Sequence, residues 1–165
     1  MEAEAPNVFE EALFSAERDC FDKVCEILGL TEGRNAFLST NAGALDCVVF
    51  DIGYPETGDM MAFPSDVFHW RGQLDIYNRS RRQIQRWLMR MIAAMPIGTT
   101  QATRERMRDG SNVQNFRIMP TTNSITEIVT TSLKFGAGDK GVEVYTSTII
   151  FDIVFIAGSR EGLTA

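Results

Sequence analysis

His69 is the one histidine among 165 residues, so it is the only side chain whose ordinary pKa suits a general base near neutral pH. Asp75 lies six residues further along the same strand-like alternation. At strand rise that separation is about 20 Å, too far for a hydrogen bond. Cys47 and Ser65 are the candidate nucleophiles, and neither sits in a nucleophile elbow or a Cys–His signature. His69 therefore reads as a surface or interface histidine beside Trp70. Five acids, Asp46, Asp51, Glu56, Asp59 and Asp66, crowd one stretch. Two or three of them would have to converge to hold a metal or to work as an acid–base pair. Their spacing matches no calcium loop, and a solvated loop is the simpler reading. Gly136, Gly138 and Gly141 form a literal G-x-G-x-x-G. A dinucleotide site needs that motif between a strand and a helix. Here it joins two strand-like runs, so its glycines read as the positive-φ residues of a hairpin loop. No catalytic residue, cofactor or metal is expected.

Arginine has more to offer. Residues 71–108 carry nine arginines against Asp75 and Glu105, whereas residues 1–33 carry nine acids against two bases. Arg79, Arg82, Arg86 and Arg90 recur every three to four residues, which on a helix makes one basic row. Nucleic-acid binders are usually basic overall and interleave stacking aromatics with their cations. This chain has a net charge of −6, and Trp87 falls on the apolar side of the helix that carries the row. Sequence-specific nucleic-acid binding is therefore not expected. A contact between the arginine row and an acidic face of another copy fits better, because guanidinium pairs well with carboxylates. A solvated helix face remains the alternative.

These side chains need elements to hold them. A hydrophobic share of 44% and a charged share of 23% are ordinary for a globular chain. The length suits one domain spanning 1–165. No apolar run approaches the span of a membrane helix, and Met1-Glu-Ala-Glu-Ala does not resemble a secretory signal. Cys20, Cys25 and Cys47 show no pairing pattern and are expected to be reduced. Residues 7–29 have helical spacing, with Gly29 where a C-terminal cap belongs. Residues 30–66 read as a long, mostly irregular loop, relieved by the apolar run 47–50. Residues 67–77 alternate as a half-buried strand, with Phe68, Trp70, Leu74 and Ile76 on one face. Asn78 is the expected N-cap of a helix over 79–95 whose apolar stripe is Ile84, Trp87, Leu88, Met91, Ile92 and Met95. Residues 97–111 read as a mobile loop or a frayed turn, and 113–119 as a short strand. Two long strands follow, 125–135 and 142–157; the second is apolar on both faces and so central or buried against a neighbour. Residues 158–165 read as a loose tail. The sum is an α+β fold, a mostly antiparallel sheet packed against two helices with a long hairpin at the C-terminal end.

This order of elements resembles the tail terminator (tail completion) proteins of long-tailed bacteriophages. The resemblance spans residues 7–157. It rests on an N-terminal helix, a strand at 70–77 running into an amphipathic helix at 79–95, a short strand, and a hairpin ending in the apolar strand 149–155. It implies a non-enzymatic virion component located at the head-proximal end of the tail, and in the host cytoplasm during assembly. It further implies that copies of the chain form a hexameric ring. The ring would cap the tail tube protein, end its polymerisation and present a surface to a neck or head-completion protein, with DNA able to pass through it. A head–tail connector or tail tube subunit is the alternative of the same class. A small-molecule-binding domain or enzyme with its site in loop 30–66 is the alternative of another class. The expected subunit interface comprises Arg79, Arg82, Arg86 and Arg90 on one side, Glu10, Glu11 and Glu17 on the other, and Tyr145.

Overall fold

The computed structural model describes residue 5 and residues 7–55, 66–95, 107–138 and 140–157. The elements run α1 (Val8–Leu28), β1 (Ala36–Leu38), β2 (Cys47–Pro55), β3 (Val67–Asn78), α2 (Arg81–Ala94), β4 (Val113–Ile118), β5 (Val129–Leu133) and β6 (Val142–Ile156). They form an α+β fold: one open, six-stranded sheet in the order β1-β2-β3-β6-β4, with β5 also paired to β6. Among the described strands, β1 and β2 pair in parallel and the other pairs are antiparallel.

β6 organises the sheet. It pairs with β3 along twelve register positions, Val67↔Ile156 to Asn78↔Tyr145. Its other edge is shared: β4 lies against residues 151–155 and β5 against residues 142–146. Ile149, Phe151, Ile153 and Phe155 of β6 enter the main core, whereas Ile150 and Val154 on its other face are half-buried and Ile156 is exposed. Gly138 (φ 91°) and Gly141 (φ 74°) make the turn between β5 and β6, so the glycine motif does form a hairpin loop. A Cβ at Gly141 would fall 2.3 Å from Ser132 Oγ, which excludes a side chain there without movement.

Both helices cover one face of the sheet. α1 starts at Asn7, whose side chain accepts from the Glu10 N–H at 2.9 Å, and ends at Gly29 in the left-handed region (φ 68°). It buries Ala16, Cys20, Phe21, Val24 and Leu28. α2 buries Ile84, Trp87, Met91 and Met95 in the same cluster as Leu74, Ile76, Phe151 and Ile153. The α2 stripe thus packs on the β3 face, with Leu88 and Ile92 half-buried at its edge.

Four stretches differ from the sequence reading. The strand expected over 125–135 is shorter, β5 covering Val129–Leu133, with only an isolated bridge from Ile125 to Ile149 before it. The N-cap of α2 is Ser80, whose Oγ accepts from the Gln83 N–H at 3.3 Å. Asn78 instead stays in the ladder opposite Tyr145, and its side chain accepts from the Ser80 N–H at 2.8 Å. The described part of 30–66 holds more strand than expected: β1 lies in it, and β2 continues five residues beyond the apolar run, with a bulge between Ile52 and Tyr54. The run is apolar on both faces because it feeds two cores. Val48 and Phe50 join the main one, while Cys47 and Val49 meet Phe37, Ala44 and Tyr77 in a small second cluster. Residues 107–111 are anchored: Met107 is buried, and Arg108 Nε and Ser111 Oγ each donate to the Asp19 carboxylate at 2.6 Å. Glu56, Asp59, Ser65, Arg104, Arg106 and the tail 158–165 lie outside the described residues.

Candidate functional site

α2 separates its surfaces sharply. Opposite its apolar stripe, Arg82, Arg86 and Arg90 stand exposed on consecutive turns. With Gln85 and Met89 they line a shallow groove of about 330 Å³. Met89 is 62% exposed, the most exposed large apolar side chain among the described residues. No described carboxylate lies within ion-pair distance of these three arginines. Arg90 Nη1 approaches the Leu28 carbonyl at 3.5 Å, at the C-terminal end of α1 where orphan carbonyls favour a cation.

Arg79 does not belong to this row. It precedes the helix and holds Asp46: its backbone N–H and its Nη2 donate to that carboxylate at 2.8 and 2.6 Å. The hydrogen bond from Arg79 keeps the Asp46 carboxyl below its ordinary range. Part of the charge complementarity read from the sequence is therefore satisfied within one chain. Arg79 meets Asp46, Arg108 meets Asp19, and Arg18 meets Glu32 at 2.7 Å.

The acidic candidates divide as well. Glu10 and Glu11 are exposed in the first turn of α1, where carboxylates favour the helix dipole. Glu17 is half-buried; desolvation raises its pKa against a lowering bond from the Ile52 backbone. Tyr145 is half-buried and packed against the main core, between Asn78 of β3 and Thr130 of β5. Its ring packs on the core, and Tyr145 remains partly exposed.

The N-terminal turns of α1 flank a concave surface. Phe9 and Leu13 meet Phe68 and Trp70 at the start of β3 and Phe155 at the end of β6. The rings of Phe9 and Phe68 are 5.3 Å apart edge-on, and those of Phe68 and Phe155 are stacked at 5.6 Å. Together with Glu10 on the rim they enclose a cleft of about 200 Å³. Phe14, 54% exposed, sits one turn beyond Glu10. No local sequence signal marks this cleft, because it joins three elements distant along the chain.

The opposite sheet face holds a buried polar group that the sequence reading missed. His69 is buried, not on the surface: its Nε2 bonds Asp152, whose second oxygen accepts from Arg117 Nε at 3.1 Å and lies 3.0 Å from Nη2. β3, β6 and β4 bring the three side chains side by side across the ladder. The available signal was Asp152, the sole charge between Glu143 and Arg160. Asp75 is likewise engaged, accepting from Gln73 Nε2 at 2.9 Å and Thr148 Oγ1 at 2.8 Å.

Burial raises all three thiols, Cys25 and Cys47 to about 11 and Cys20 well above its ordinary value. Such groups stay protonated near neutral pH and make poor nucleophiles. In the stretch proposed for a small-molecule site, Asp46 is held by Arg79 and Asp51 accepts from Ser39 Oγ at 3.4 Å. Compared with models of known protein families and with curated proteins, the chain gives no match.

Proposed function

We propose that this protein is a non-enzymatic assembly subunit of the tail terminator kind: its copies close into a ring, of six by the resemblance, that caps a phage tail tube and offers a joining surface to the head or neck. The observation that carries this reading is the exposed row Arg82, Arg86 and Arg90 around Met89, with no counter-charge of its own among the described residues. Its complement is the acidic, aromatic start of α1. Two unlike patches on one chain can meet between copies head to tail or reciprocally across a two-fold axis, and the resemblance selects the head-to-tail contact. Head-to-tail contacts close into a ring when the rotation between copies permits.

Exposed ion pairs contribute only ~0.2–1 kcal/mol each, so apolar burial must supply most of the affinity while the charges set register and partner choice. The test is Arg82→Glu combined with Arg86→Glu. The monomer should stay folded, ring formation should weaken, and tails assembled with this variant should be over-long or fail to join heads. Tails of normal length that join heads at the normal rate would reduce the row to a solvated helix face.

A further inference from the structure

The row and the cleft are complementary in three independent respects. The cleft is concave and aromatic, and Met89 stands out as a flexible apolar knob on a rigid helix. The rim of the cleft carries Glu10, with Glu11 beside it, and the knob is ringed by Arg82, Arg86 and Arg90. The cleft holds ring edges and faces, on which a thioether sulfur packs favourably. We infer that Met89 of one copy seats in the cleft formed by Phe9, Leu13, Phe68, Trp70 and Phe155 of the next, with the flanking arginines on its Glu10 and Glu11. This rests on the ring reading above and names the contact that joins the copies. An unbranched side chain suits the role: Met bends to fill an irregular aromatic gap that a β-branched residue would not enter. The acid–arginine pairs around it disfavour any docking that sets arginine against arginine.

Because Met89 is exposed in the monomer, replacing it leaves the fold intact. Met89→Asp should weaken self-association at least ~10-fold, as loss of a central interface anchor does. Met89→Leu should stay near the wild type, and both monomers should keep the wild-type melting temperature. In a Cys25→Ser background, a Met89→Cys chain mixed with a Glu10→Cys chain and a short bismaleimide should give a cross-linked pair that neither chain gives alone. If the wild type forms oligomers but Met89→Asp forms them equally well, or if no mixed cross-link appears, this contact is wrong and the ring reading stands. If the wild type remains monomeric at high concentration and with tail tubes present, the ring reading fails and this contact fails with it.

Discussion

Asp152 is buried between His69 and Arg117 in the apolar half of β6, and removing His69 or Asp152 itself should have unequal costs. His69→Ala takes away the hydrogen bond to Asp152 and leaves the Asp152–Arg117 pair in place, a loss of about 1–3 kcal/mol. Asp152→Ala strands a guanidinium whose side chain is only 23% exposed. Partial access to water moderates the full buried-pair penalty to about 2–4 kcal/mol. Urea unfolding of the two variants checks the order; equal costs would show that Asp152 is not the hub. Neither change touches the arginine row or the cleft, so His69→Ala should still assemble. Two further carboxyls should give pH dependences of opposite sign. Asp46 titrates below its ordinary value of 3.8 because Arg79 hydrogen-bonds it. Its stabilising contribution is present above 3.8 and is lost as pH falls through the lower folded value. Glu17 titrates above 4.5 because burial penalises its ionised form. Its contribution is present below 4.5 and is lost as pH rises through the higher folded value. At pH 7, Asp46→Asn should therefore lower the melting temperature and Glu17→Gln should raise it. The Glu17→Gln difference should vanish below pH 4.5, and the Asp46→Asn difference should close as pH drops below 3.8. A Glu17→Gln protein less stable than wild type at pH 7 would mean that the bond from Ile52 outweighs desolvation.

At the scale of elements, α2 carries the argument, since one face builds the core and the other presents the arginines. Trp87 is 5% exposed and lies in the main cluster, so Trp87→Ala should cost about 3–5 kcal/mol. An unchanged melting temperature would contradict the packing. This helix was legible in the sequence because a 3.6-residue period assigns both faces at once. α1 was legible for the same reason, with Asn7 and Gly29 marking its ends. The elements that were misread lack such redundancy. Asn78 and Ser80 are both good caps, and the choice between them was made by the ladder to β6, which holds Asn78 opposite Tyr145. The end of β2 was hidden by Gly53 and Pro55, residues that weaken a strand pattern but are tolerated at a bulge and a strand end. Three arginines of the row were readable from spacing, but spacing also enrolled Arg79, which precedes the helix and holds Asp46. The aromatic cleft and the His69–Asp152–Arg117 group were not readable, because each draws on three elements that only tertiary pairing brings together.

For the whole molecule the account reduces to one geometric claim: two unlike patches on a single chain, satisfied only by another copy. The claim implies salt dependence, because exposed arginine–carboxylate contacts are screened once the Debye length shrinks from ~10 Å at 0.1 M to ~3 Å at 1 M. Assembly should accordingly slow and weaken as salt rises without being abolished, since apolar burial at Met89 is not screened. The most direct test is the mass of the wild-type particle, by light scattering and negative-stain microscopy, free at high concentration and in the presence of tail tubes. The account predicts a closed ring of discrete mass, most simply six copies, free or seated on the end of the tube. A chain that stays monomeric under both conditions, or that pairs only as a two-fold dimer, would contradict it.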